Sequence, residues 1–246
     1  MEDSGFLRDA AECLHRLNRN EEALKFLARA KERESENPFV LGLESRILED
    51  IGKLDAAYDS AELAAARDPL NERLHNRLGV IRVKQGRPHL AISHFQKAIE
   101  LDPDQFSPGN SLAAAYLDID QWEEAEQLLP ELEKKARTRS DFALLAHTKA
   151  RIAFAERNFG ESEKLLKAEI AGSRNVIPTL GLLIQVLCAS FDRNILGFPA
   201  TAAVKLREAE NALRRIAEID PSNDFIENLQ RAVTDRKVKQ KPIRRR

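Results

Sequence analysis

The chain has 246 residues, 43% of them hydrophobic and 32% charged, with a formal net charge of −1. That much apolar material excludes a disordered chain, and the near-zero charge excludes a global field that would gather nucleic acid or an anionic membrane. Met1-Glu2-Asp3-Ser4 has neither the basic start nor the apolar stretch of a signal peptide, and no apolar run reaches the roughly 18 residues that span a bilayer.

In chain order, the predicted elements come in pairs of helices. The first pair carries Leu7, Ala10-Ala11 and Leu14, then Ala23, Leu27 and Ala30. The second carries Leu41 and Leu48, then Gly52, Ala57, Ala61, Ala64 and Pro69. The third carries Leu78-Gly79, then Gly86, Ala91, Phe95, Ala98 and Pro103. The fourth carries Leu112-Ala113 and Tyr116, then Ala125 and Leu129. The spacing Ala57-x6-Ala64-x4-Pro69 returns as Ala91-x6-Ala98-x4-Pro103, every member advanced by the same offset. One such period back lie Ala23 and Ala30, with Asn18 in the glycine's place; one period forward lie Ala125, Leu132 and Asp120. Asn and Asp tolerate the left-handed turn that glycine adopts most easily. Each pair reads as a hairpin whose apolar stripe needs a neighbour to cover it. The alanines permit close approach, the glycines end first helices, and Asp68-Pro69, Asp102-Pro103 and Asp220-Pro221 stop second helices.

A fifth pair follows after about three extra residues, with Ala146, Ala150 and Ala153, then Asn158-Phe159, Ser162 and Leu166. A degenerate sixth runs from Pro178 to Ser190 and from about Ala200 to Ile219, joined by a long Phe191–Pro199 linker. The expected boundaries are 4–37, 38–71, 72–105, 106–139, 143–176 and 177–221, with a capping helix over 224–237 and a disordered tail over 238–246. Residues 237–246 carry six basic and no acidic residues; taking those six from −1 leaves −7 on the rest.

The 34-residue period and these residues resemble the tetratricopeptide-repeat (TPR) family, most fully over Glu72 to Gln105. That copy departs from the family pattern at His75, where a bulky residue is usual, and at Arg82, where an aromatic is usual. The resemblance implies an all-α, right-handed α–α superhelical solenoid of about six TPR-like hairpins plus a C-terminal cap, spanning residues 1–237. It also implies a non-catalytic scaffold that binds a partner peptide or helix in a concave groove lined by first helices. The family's groove positions fall on Arg73, Asn76, Arg77, Lys84, Asn110, His147 and Arg151. Asn76 and Asn110, one period apart, are expected as stacked equivalents that grip a peptide backbone, and the cations as partners of a carboxylate. Arg73 and Arg77 resemble half of the clamp by which some TPRs hold a C-terminal carboxylate. The other clamp positions read Arg8, Glu12 and Leu43, and Glu12 and Leu43 break the pattern.

No catalytic or cofactor motif is legible: neither Gly-x-Gly-x-x-Gly nor a phosphate-binding Gly-x4-Gly-Lys-Ser/Thr occurs. His89 and His94, five apart, read as solvated, and Trp122 as packing. Cys13 and Cys188, far apart and without a Cys-x-x-Cys, both read as buried thiols in a cytoplasmic protein. The expected partner is a protein or peptide; the basic tail is the one candidate for nucleic acid, no membrane contact is expected, and an oligomer is possible. Met1 is the only methionine, which motivates an alternative: the C-terminal sensor or oligomerisation arm of a larger bacterial signalling ATPase or effector enzyme.

Overall fold

The structure, a computed structural model, describes residues 3–172, 177–194, 199–223 and 226–240. All regular elements among them are helices. They fall into two compact units, the first ending at Gln121 and the second beginning at Trp122.

The first unit contains α1 (Ser4–Arg16), α2 (Asn20–Lys31), α3 (Pro38–Asp50), α4 (Leu54–Arg67), α5 (Glu72–Lys84), α6 (Pro88–Leu101) and α7 (Phe106–Asp118). Each helix packs on its successor. The turns repeat to the level of single hydrogen bonds. Asn18, Gly52, Gly86 and Asp120 have φ of 59°, 77°, 72° and 60°. In each case the next residue's N–H reaches back to the first helix: Arg19 to Leu14, Lys53 to Leu48, Arg87 to Arg82 and Gln121 to Tyr116, all at 2.9 Å. This is the Schellman closure, which satisfies carbonyls that a helix end leaves open. Alanines five positions past the left-handed residue, Ala23, Ala57 and Ala91, are fully buried. Gly79 allows the closest approach: a Cβ there would stand 2.5 Å from the Phe95 ring. The Asp-Pro stops work through the carboxylate. Asp68 accepts from Asn71 Nδ2 at 2.8 Å and Asp102 from Gln105 Nε2 at 2.9 Å, and Asn71 then caps α5 by accepting from the Arg73 N–H at 3.2 Å.

The second unit contains α8 (Trp122–Gln127), α9 (Leu129–Lys135), α10 (Arg139–Ala155), α11 (Phe159–Gly172), α12 (Ile177–Asn194), α13 (Pro199–Ile219) and α14 (Ile226–Gln240). Where one second helix was expected for the fourth copy, the chain forms two short ones, because Pro130 lacks the N–H that would continue the ladder. A capping box closes the start of α10: Thr138 and Asp141 exchange side-chain and backbone bonds. The α10–α11 turn repeats the Schellman geometry with Arg157 at φ 62° and Asn158 N–H on Ala153 at 2.8 Å, so the left-handed residue is the arginine before Asn158. The core is larger here, built from Leu166, Ile184, Leu187, Phe191, Leu206, Ile216 and Val233.

Three expectations need adjustment. Cys13 is exposed, because α1 buries the stripe Leu7, Ala11 and Leu14 and Cys13 points the other way; Cys188 is buried as expected. His94 is half-buried against Tyr58 rather than solvated, with ring centroids 6.2 Å apart. Finally, α14 continues to Gln240, with Lys237 paired to Glu210 at 2.9 Å, so positions 238–240, expected in the tail, are helical. The rest of the basic tail lies outside the described residues, as does the centre of the expected 191–199 linker.

Candidate partner-binding face

First helices α1, α3 and α5 together line a cavity of about 460 Å³ in the first unit. Its walls follow the 34-residue period. Arg8 stands at the repeat position of Gly42; Asp9 at that of Leu43 and Arg77; Glu12 at that of Arg46; Phe39 at that of Arg73. The sequence-level clamp positions Arg8, Glu12, Leu43, Arg73 and Arg77 are therefore brought together. Apolar surface comes from Pro38 and above all from Phe39, which is 66% exposed, while Leu74 lies buried beneath them.

The cations differ in availability. Arg77 Nη1 donates to Glu49 Oε2 at 2.9 Å and Lys84 Nζ to Glu49 Oε1 at 2.7 Å, and Glu49 is only 8% exposed. Burial lowers the pKa of the Arg77 guanidinium and the Glu49 carboxylate pulls it back only in part. These two residues therefore neutralise an internal carboxylate. Arg73, by contrast, is 88% exposed and only 3.4 Å from the neighbouring Glu72. Arg46 reaches Glu12 at 3.5 Å while its Nε is buried without a partner among the described residues. Burial pushes the Glu12 carboxyl up, but the Arg16 hydrogen bond and the Arg16 and Arg46 charges outweigh it, so Glu12 stays ionised.

Asn76, on α5, buries its Oδ1 without a partner among the described residues; Asn110, on α7, is half-buried, and α5 packs against α7. His147 and Arg151 lie one turn apart on α10 in the second unit, so the seven predicted residues divide five and two between the units. Burial and the Arg151 charge lower the pKa of His147, and its Nε2 is buried without a partner among the described residues. The second unit has its own cavity, about 650 Å³, lined by Glu156, Arg157, Phe159, Ala189, Asp192 and Arg193, none of them predicted. Sequence reasoning missed Arg46, Phe39 and Glu49. The period flags the first two as equivalents of Glu12 and Arg73; nothing in the period flags Glu49. Among the described residues no cluster of His, Cys, Asp or Glu could hold a metal ion, and no helix is long and apolar enough to cross a membrane.

These features define an all-α protein built of helical hairpins. The tetratricopeptide repeat family model matches residues 72–105, the copy with the fullest motif. Residues 72–105 are thus a tetratricopeptide repeat, and the fold of the chain is shared with tetratricopeptide-repeat proteins of known structure. Solved structures share its fold. PilF of Pseudomonas aeruginosa is 16% identical with a TM-score of 0.66, covering 94% of this chain and 99% of its own. A tetratricopeptide repeat protein from Parabacteroides merdae is 14% identical with a TM-score of 0.70, covering 94% and 84%. YrrB, described as a TPR protein with an unusual peptide-binding site, is 20% identical with a TM-score of 0.57, covering 72% and 90%. No curated protein matches the sequence.

Proposed function

We propose that the protein is a non-catalytic scaffold whose first unit holds a partner peptide carrying an acidic group beside a large apolar side chain. The carrying observation is the cavity among α1, α3 and α5, where exposed Arg73 and exposed Phe39 line one space. A carboxylate on Arg73 gains a charge-assisted bond without breaking a strong one, and an apolar side chain against Phe39 removes surface that water now covers. Arg77 and Lys84 support the wall through Glu49. Asn76 and Asn110 supply amides to the peptide backbone, and His147 with Arg151 offer a separate contact in the second unit.

The test is selection from a random peptide library on the full chain, followed by fluorescence anisotropy of the recovered peptides. Acidic-plus-aromatic sequences are expected. Arg73→Ala and Phe39→Ala should each weaken them about tenfold, the equivalent of one charged hydrogen bond or one buried side chain. Recovered peptides that bind both variants as tightly as wild type would remove this face from consideration.

A further inference from the structure

α1 has three faces. Leu7, Ala11 and Leu14 pack inward, and Arg8, Asp9 and Glu12 line the cavity. The third face is a stripe at helical spacing, Phe6, Ala10, Cys13 and Leu17. Phe6 is 56% and Leu17 67% exposed, Cys13 is exposed and Ala10 half-buried. The inward face, with Leu7 and Ala11, shares one core with Ala23, Leu27 and Ala30 of α2 and Val40, Leu43 and Ile47 of α3. The last described helix is built differently: α14 turns Leu229 and Val233 inward and exposes Glu227, Asn228, Gln230, Arg231 and Asp235. The outer face of α14 is thus mainly polar, with Val238 exposed near its end, whereas that of α1 is apolar.

We propose that this stripe is a self-association surface on which two copies of the chain pair through antiparallel α1 helices. The pattern is its own complement. With the two-fold axis level with the midpoint between Ala10 and Cys13, Phe6 of one copy meets Leu17 of the other. The small residues Ala10 and Cys13 meet each other and permit close approach. Asp9 and Arg16 flank one edge of the stripe, and an antiparallel pair sets like edges side by side. Each Asp9 then comes level with the other copy's Arg16, about 3 Å apart along the axis at about 1.5 Å rise per residue. A parallel pair would set opposite edges side by side and part Asp9 from the other copy's Arg16. Both residues are exposed, with side-chain exposures of 67% and 73%, and their present partners, Arg8 and Glu12, lie within their own helix. The ion pairs fix direction more than strength, and the apolar stripe is well below a standard interface in size, so association should be weak, with a dissociation constant on the order of 100 µM.

The experiment is sedimentation equilibrium of the full chain from about 5 to about 500 µM, either side of that constant. The wild type should rise from 27.8 kDa toward twice that mass. Phe6→Glu with Leu17→Glu should stay monomeric with unchanged circular dichroism, since both positions are exposed. Asp9→Arg alone and Arg16→Asp alone should each weaken the dimer at least about threefold, and the two together should restore it. A short bismaleimide should join two chains through Cys13, because Cys188 is buried, and Cys13→Ala should abolish the product. A wild type that is monomeric throughout, a dimer indifferent to Phe6→Glu with Leu17→Glu, or a double charge swap without recovery would each overturn the proposal.

Discussion

Replacing Gly79 with alanine sets two well-measured effects against each other, and the structure decides the sign. Gly79 lies inside α5, and alanine in a helix interior normally stabilises by about 1 kcal/mol, through lower backbone entropy in the unfolded chain and better propensity. Here the new methyl would stand 2.5, 2.7 and 2.8 Å from three carbons of the Phe95 ring, distances that real Cβ atoms do not show. Phe95 is 1% exposed, so the ring has no vacant space to enter, and either α5 and α6 separate or the ring leaves its rotamer. Overpacking of this kind costs about 1–3 kcal/mol and occasionally more. The net expectation is a loss of about 1–2 kcal/mol, which at a urea m-value of about 2 kcal/mol/M moves the midpoint down by about 0.5–1 M. Urea titration followed by far-UV circular dichroism measures it. Gly181, within α12, is the control: a Cβ there meets nothing within 4 Å, so Gly181→Ala should stabilise by about 0.5–1 kcal/mol. Phe95→Leu should relieve the clash, so that Gly79→Ala costs at least about 1 kcal/mol less in its presence. A Gly79→Ala protein as stable as wild type, or strict additivity with Phe95→Leu, would refute the claim that this glycine exists for the ring.

Glu49→Gln should destabilise the first unit by about 1–3 kcal/mol, because it leaves Arg77 and Lys84 without the buried carboxylate they share; urea midpoints check it. Ser45 and Ser162 are each 0% exposed and donate at 2.7 Å to a carbonyl on the paired helix, Ala57 and Ala150 respectively; alanine at either should cost about 1 kcal/mol in thermal unfolding. Burial lowers the pKa of His94, aided by the His75 and Arg82 charges and opposed by Glu62, so the folded state prefers the neutral ring. That preference is fully present above the ordinary value of 6.5 and is lost as pH falls through it toward the lower folded-state value; His94→Gln should flatten the fall in stability between about pH 7 and about pH 5.

The hairpin fold was legible because it rests on residues whose effect is local. A left-handed turn needs glycine, asparagine or aspartate, and a close crossing needs alanine, and both recur once in every repeat period. The reading strained where the same geometry was met by an unexpected residue. Arg157 occupies the left-handed position, and Ser162 takes the alanine's place at the hairpin crossing, where its hydroxyl finds the Ala150 carbonyl. Arg82 replaces the family's aromatic and stacks its guanidinium 3.6 Å from the centroid of Tyr58, a cation–π contact that covers the ring as an aromatic would. Pro130 marked its own break, and the helix pattern around it had concealed it.

The candidate site was legible in position and not in state. Periodicity says which residues share a face, because equal offsets return the helix to the same angle; it does not say which of them are already paired. Arg73 and Arg77 occupy adjacent turns of one helix face and look alike in sequence. One is in solvent, and the other is held by Glu49 from the preceding hairpin, a residue whose repeat equivalents are His15 and Val83 and so carry no such charge. Whether a groove cation is ligand or buttress is set by an acid outside the repeat's own pattern. A partner-binding assay should therefore separate the two arginines. Arg73→Ala changes affinity with stability unchanged, while Arg77→Ala lowers stability first, because it leaves the buried Glu49 carboxylate to Lys84, which is itself half in solvent.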